Sequence, residues 1–407
     1  MNMKSEELRV ELIASEEAFL ALKNEWDALI DKSINPSFYA TYPFVYTTWK
    51  YFKSENDQLF ILLVRRGATL VGIAPFRIES MKAGNIYPLR LIRFIAEWGG
   101  GDKPAIVTIE KPDLVWERIF QFLNKEFFQW DGIRLIEQPE NNPVLNQRFF
   151  SNIWYSARAV PEYTSYYISI SGTWEEYLIK RGKNTQRTWK NFRKKLFNLP
   201  EGVKFQCIDN SKTLPDALKR FIAIEQSGWK KNGDFSVGGN EKQKAFYEEL
   251  LITLAQKNMV AIYLLTSGTT DIASALIFKH DLTIYPAHIT YNQMYAEYSP
   301  GVFLTTEIIR TLFGTHYQEF DFLGLRNDGK NTLKKSWSTG IRQTITVEVY
   351  KKSSRLYINI LGRRLNGLLE KVTRIMAKRN VSDPTQVGTQ IPPSLTFTQS
   401  GSEEILI

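Results

Sequence analysis

The sequence is short of the residues that most often carry hard chemistry. One cysteine, Cys207, in 407 residues excludes an internal disulfide and any cysteine-rich metal site. Its surroundings, Val203 to Ile208, read as a strand, which predicts a packed thiol rather than a nucleophile. Only three histidines are present, so a histidine-based metal centre is not expected. Apolar runs stop well short of the roughly 18 residues that span a bilayer. The opening Met1 to Glu7 has no apolar stretch of the kind that directs export, and the expectation is a cytoplasmic protein. Carboxylates, hydroxyls, backbone amides or a bound co-substrate are left to do the chemistry.

What is present suits a globular enzyme. At 43% hydrophobic and 23% charged residues the composition excludes disorder over most of the chain, and the length predicts two or three domains. The net charge of +9 is concentrated: residues 180–195 hold eight basic side chains and no acid, and residues 355–379 hold seven against one acid. Together these segments exceed the whole, so the remainder is net acidic. That pattern argues against a generally cationic nucleic-acid binder and for two anion-facing surfaces. A solvated helix face is the plain alternative for residues 180–195. Coenzyme A phosphates, a nucleotide-linked sugar and anionic lipid are the sharper ones.

Two stretches share a plan. Leu59 to Phe76 and Ala261 to Phe278 each read as a hairpin with a glycine turn, preceded by helical regions and followed by strand, helix and strand. The helical regions are residues 16–30 and 42–52 in one half, 215–230 and 242–257 in the other. We expect a tandem duplication of one α/β unit: a first domain over residues 1–160, a second over 161–352, an amphipathic helix over 353–380 and a disordered tail over 381–407. Tyr155 to Pro161 reads as the lead-in to a new strand at 165–170. The apolar and basic faces of the 354–379 helix suit either an anionic membrane surface or docking on its own domain.

The segment 283–337 carries the most information. Pro286 cannot donate to a ladder, so the strand 283–291 is expected to be unpaired or bulged on one edge. Ser299-Pro300-Gly301-Val302-Phe303 is a helix start, and its Gly301, Val302 and Phe303 amides suit a pyrophosphate. A further strand ends in Asp321-Phe322-Leu323-Gly324 and leads to Lys334-Lys335-Ser336-Trp337. Glu225 shares an apolar helix stripe with Leu218, Ile222 and Trp229. A desolvated carboxylate there is a candidate general base, with a helix-face ion pair as the alternative. His288, on the 283–291 strand, is a second candidate base or else a packed histidine. Asp321 either faces an acceptor or holds the loop after it.

These segments, together with Glu225-Gln226-Ser227-Gly228-Trp229-Lys230, resemble the GNAT-type acyltransferases of the cellulose-biosynthesis (CelD/BcsL-like) group, which is similar in fold to the FemAB aminoacyltransferases. The resemblance covers most of residues 8–350. It implies an α/β fold of two tandem GNAT-like domains, each a mixed, mostly antiparallel sheet flanked by helices. A gap between the strands at 283–291 and 318–323 would take an acyl thioester, with the first domain a degenerate copy walling the acceptor cleft. It also implies acetyl-CoA (acyl-CoA) as co-substrate and no metal. The pyrophosphate falls to Ser299, Gly301, Val302 and Phe303, catalysis to Glu225, His288 or Asp321, and the acceptor to Trp229, Tyr291 and Lys334. The glycine-rich acetyl-coenzyme A signature of the classical enzymes is missing, and Ser299-Pro300-Gly301 stands in its place. The expected function is acyl transfer to an amine or hydroxyl of a sugar or cell-envelope precursor. Two other readings stay open: an aminoacyl-tRNA donor, motivated by the basic helix, and a non-catalytic module at the inner membrane face that assists polysaccharide assembly.

Overall fold

Alternating β-branched and aromatic residues around glycine turns form the hairpins that the sequence marks. The computed structural model describes residues 7–353, apart from 35–36, 82–86, 98–102, 148–151, 229–235 and 325–331, and residue 358 beyond them. The expected C-terminal helix and tail therefore lie outside the described residues. So do Trp98 to Asp102 and Trp229.

The first half runs β1 (Leu8–Ile13), α1 (Glu16–Ala21), α2 (Lys23–Ile30), α3 (Tyr42–Phe52), β2 (Gln58–Arg66), β3 (Thr69–Met81), β4 (Leu89–Phe94), β5 (Val107–Thr108), α4 (Pro112–Lys125) and β6 (Gly132–Pro139). A long strand, β7 (Tyr155–Ser169), leads into α5 (Trp174–Lys180) and α6 (Gly182–Phe197). The second half continues with β8 (Lys204–Ile208), α7 (Leu214–Ser227), α8 (Glu241–Gln256), β9 (Val260–Ser267), β10 (Thr270–His280) and β11 (Thr283–Tyr291). It closes with α9 (Pro300–Leu312), β12 (Glu319–Asp321), α10 (Thr332–Trp337) and β13 (Gly340–Lys351).

All the strands form one mixed sheet, in the order β1-β2-β3-β4-β6-β13-β7-β12-β11-β10-β9-β8, with β5 beside β3. Read inward from either edge, the order is the same plan: β1, β2, β3, β4, β6 on one side and β8, β9, β10, β11, β12 on the other. The two halves are thus related by a pseudo-twofold axis between β13 and β7. In each half one parallel rung pair sits at the same place, Leu91–Gly132 and Ile92–Ile133 between β4 and β6, Thr283–Glu319 and Ile284–Phe320 between β11 and β12.

The strands at the axis differ from the expected linker and short strand. β7 begins at Tyr155 and runs unbroken through residues 160–161, because Pro161 falls where the β7–β13 register slips, between Gln343 and Ile345. A proline is tolerated at such a slip, where a ladder donor is not needed. β13 pairs with β6 of the first half over Thr344 to Tyr350, and β7 pairs with β12 of the second over Tyr167 to Ser169. The first half is thus completed by β13, a strand of the second.

Helices cover both faces. On one face α2, α3, α7 and α8 share a single apolar core, in which Phe38 stacks on Phe278 at 4.4 Å between ring centres. On the other, α4 covers the first half around Trp116 and Trp130, while α5, α6 and α9 cover the second around Trp174, Trp189 and Trp337. Cys207 departs from expectation: on the edge strand β8 it is exposed as a residue, while burial of its sulfur beside Tyr263 pushes the thiol's pKa up. No helix among the described residues is long and apolar enough to cross a membrane.

Candidate functional site

β11 is the centre of the site. It pairs with β12 only at Thr283 and Ile284, then runs on to Tyr291 while β12 and the residues after it follow β7, where the Phe322 N–H donates to the Tyr166 carbonyl at 2.9 Å. The two strands part, leaving a gap in the second half between residues 285–291 and 321–323.

A bulge sets what faces each side of this gap. On β10, Leu276 pairs with His288 and Ile277 with Pro286, so Ala287 is the extra residue. Strict alternation from Tyr285 would put His288 on the opposite face; the inserted residue returns it to the same one. His288 therefore points toward α8, where the Tyr247 hydroxyl lies 2.7 Å from its Nε2. Ile289 and Tyr291 face the other way, toward the core beneath α9. Pro286, with no N–H, sits at this irregular rung, as the sequence anticipates.

Behind His288 the C-terminus of α7 holds Glu225, 1% exposed and on the helix's apolar stripe as expected. Its Oε2 accepts from Ser236 Oγ at 2.6 Å and from the Gly238 N–H at 2.9 Å, anchoring the loop before α8. Its Oε1 is buried without a hydrogen-bond partner among the described residues. The helix end abuts β11: a Cβ at Gly228 would stand 3.3 Å from the Tyr291 carbonyl oxygen.

On the α9 side, Ser299 takes a left-handed backbone (φ 50°, ψ 50°) at the N-cap position, and its side chain makes no capping bond. Its carbonyl accepts from both Val302 and Phe303 N–H at 3.1 Å. Of the three amides expected to be open to a ligand, two are thereby engaged, because the first turn tightens onto Ser299. The Gly301 N–H remains without an acceptor among the described residues. The Cα side of Gly301 is closed by a neighbouring ring. A Cβ there would lie 3.3 Å from Tyr291 Cδ1, so the ring fills that space.

Asp321 ends β12, 1% exposed. It takes an ion pair from Lys103 of the first half and one from Arg342 at 3.4 Å, and accepts from Ser165 Oγ at 3.1 Å and from the Leu323 N–H at 2.9 Å. The last bond fixes Leu323 at φ 61°, where the chain turns out of the sheet. These contacts bind the carboxylate to both halves and to the residue two positions on. Lys334, on α10, donates to the Phe322 carbonyl at 2.8 Å and ties the same wall of the gap. Trp337 packs, stacked on Trp174 at 5.9 Å.

Sequence reading missed Tyr247, Ser236 and Lys103. Tyr247 falls on the apolar stripe of α8 and reads as core, while Ser236 and Lys103 lie in loops, so no local pattern marks their long-range partners. The first half has a matching gap, but a carboxylate occupies it: Glu97 accepts from the Ile136 N–H at 3.0 Å and from Arg93 Nε at 3.2 Å. Among the described residues no cluster of histidine, cysteine or carboxylate side chains has the arrangement of a metal site.

A mixed sheet with one parallel pair in each half, laid out twice about one axis and opening beside a helix N-terminus in the second half, is a tandem GNAT-type fold. Residues 183–335 match the acetyltransferase (GNAT) domain family. Among solved structures, FemX superposes with a TM-score of 0.58 at 10% identity, over 85% of this chain and 98% of that one. The C-terminal domain of an Agrobacterium fabrum protein described as a lysylphosphatidylglycerol synthetase gives 0.52 at 9% identity, over 84% and 96%. A conserved protein of unknown function from Bacteroides thetaiotaomicron VPI-5482 gives 0.52 at 10%, over 84% and 100%. No curated protein matches the chain in sequence.

Proposed function

We propose that the protein is an acyltransferase whose second half moves an acyl group from a coenzyme A thioester to an amine or hydroxyl of a sugar or other cell-envelope precursor. The observation that carries this reading is the gap between β11 and β12, with the N-terminus of α9 on one of its faces and His288 on the other. The gap suits an extended pantetheine, which can add to the free edge of β11 as a strand would. The Gly301 N–H and the positive end of α9 suit a phosphate. Tyr291, beside them, is placed to border the thioester.

The acceptor approaches from the α7 and α8 side. There His288, half-buried and held by Tyr247, takes the proton as the nucleophile attacks, and the strand amides stabilise charge on the carbonyl oxygen. Lys334 and Asp321 hold the far wall in place. Glu225 is the second candidate for the base, and its unpartnered Oε1 favours it; His288 has the better access. The first half, its own gap closed by Glu97, serves as a wall of the acceptor cleft. The cellulose-biosynthesis grouping rests on the Asp-Phe-x-Gly and Lys-x-x-Trp segments. An aminoacyl-tRNA donor remains the competing use of the same fold, supported by the likeness to FemX.

Isothermal titration with acetyl-CoA tests the donor. We expect saturable binding that weakens at least tenfold in Gly301→Val, whose branched side chain displaces Tyr291. Absence of binding in the unaltered protein, with tight binding of aminoacyl-tRNA instead, overturns the coenzyme A reading.

A further inference from the structure

α6 packs against α5, α9 and the turn Gln293–Tyr298 through Trp189 and Leu196, both buried, and turns its other side to solvent. At 100° per residue Lys183, Arg187, Lys190 and Lys194 fall within an arc of about 60°, in a row ~16 Å long opposite Trp189. All four are exposed, and none has an ion-pair partner among the described residues. A helix meant only to be solvated interleaves acids with such bases to gain i, i+4 pairs; this one has no acid at all.

Exposed apolar side chains occur on α6 and on the elements packed against it. Phe197 lies about 40° from the row on the same helix, 50% exposed, with its ring 6.1 Å from Phe303 and the Arg193 guanidinium 5.4 Å from its centre. Met294, in the turn that packs on α6, is 86% exposed, and Ile179, at the end of α5, is 68% exposed. Single open apolar groups are ordinary on a protein surface, and these gain meaning only together with the cation row. A row of unpaired cations on a helix that bears an open phenyl, with an open thioether and a branched aliphatic group on the elements packed against it, matches a surface that offers negative charge above and hydrocarbon below. A nucleic-acid backbone offers the first but gives methionine and isoleucine nothing to enter.

We propose that the exposed face of α6, with Phe197, Met294 and Ile179, docks the protein on an anionic lipid bilayer. This surface is distinct from residues 354–379 and independent of which donor the site uses. Because α6 packs against α9 and the turn before it, docking brings the phosphate end of the proposed site close to the bilayer surface.

The test is flotation of the full chain with vesicles of phosphatidylglycerol and phosphatidylethanolamine, against vesicles of phosphatidylcholine alone. We expect the protein to float with the anionic vesicles only, and the bound fraction to fall at least tenfold in Lys183→Glu/Arg187→Glu/Lys190→Glu/Lys194→Glu. A second variant, Phe197→Ser/Met294→Ser, keeps every charge and is expected to lower binding severalfold. Circular dichroism melts matching those of the unaltered protein show that both variants fold. The proposal is overturned if the unaltered protein stays unbound, or if the fourfold variant floats as well as it does. It is also overturned if Phe197→Ser/Met294→Ser binds vesicles undiminished while the charge variant loses binding to both vesicles and tRNA, which would mark α6 as a nucleic-acid surface.

Discussion

The Tyr247 hydroxyl meets the Nε2 of His288 at 2.7 Å, and the two rings stand at 88° to each other. The contact joins α8 to the bulged strand and fixes the imidazole's direction at the edge of the gap. If His288 is the base, its replacement by Ala lowers kcat by about 10²–10⁴-fold, the usual value of a positioned proton acceptor. Tyr247→Phe then costs roughly tenfold and moves the acid limb of the pH–rate profile. Because the hydroxyl acts through the ring, the double variant is no slower than His288→Ala alone. Steady-state kinetics on the four proteins of this cycle check it, and full additivity would sink the coupling.

Glu225 separates the two candidate bases. Gln keeps an acceptor for Ser236 Oγ and the Gly238 N–H but cannot take a proton, so with His288 as base Glu225→Gln retains turnover within tenfold. Glu225→Ala leaves both donors buried and unpaired, at a cost of about 2–4 kcal/mol seen in urea unfolding. A hundredfold fall in kcat for Glu225→Gln, with stability kept, transfers the role to the carboxylate.

Lys103 and Arg342 both face the Asp321 carboxylate, which is nearly closed to solvent. Asp321→Asn leaves two cations against a neutral amide, and breaking such a buried arrangement from its central member costs about 3–5 kcal/mol. Lys103→Met leaves Arg342 and two hydrogen bonds in place and costs ~1–2 kcal/mol. Calorimetry is expected to rank the melting temperatures in that order, and Lys103→Met is expected to raise KM for the acceptor more than it lowers kcat.

His280 gives the stability a slope with pH. Its Nε2 is buried without a partner among the described residues, and burial pushes its pKa below the ordinary 6.5. The unfolded chain therefore takes up a proton near 6.5 while the folded one resists it. The contribution of His280 is complete above that pH and is lost as the pH falls toward its lowered folded value. Denaturant unfolding between pH 5 and 7.5 is expected to show a shallower decline for His280→Asn than for the unaltered protein.

Much of this fold can be read locally. Both hairpins, α3 over residues 42–52, and the helix start at Pro300 follow from alternation, glycine turns and proline placement, and the structure has them where those signals fall. The duplication follows from the repeated hairpin plan, whereas the GNAT-like sheet is what the resemblance to known acyltransferases implies. What escapes is set by distance along the chain. Nothing near Pro161 says that its strand continues, since the permission comes from a register slip against residues 343–345. The face of His288 depends on one inserted residue, and Pro286 warns of the bulge without giving its sense. The ion pair between Lys103 and Asp321 spans the two halves, and each partner alone looks like an ordinary surface or strand-end charge. The capping turn at Ser299 looks open in sequence, yet its own carbonyl takes up two of the amides.

The pairing of β13 with β6 also orders events in time. β6 is complete about 200 residues before β13, its neighbour in the sheet, is made. At a synthesis rate of about 5–20 residues per second, its edge stays bare for roughly 10–40 s. The first half cannot finish folding before the second is nearly made, so the nascent chain carries an open strand edge through about half of its own translation.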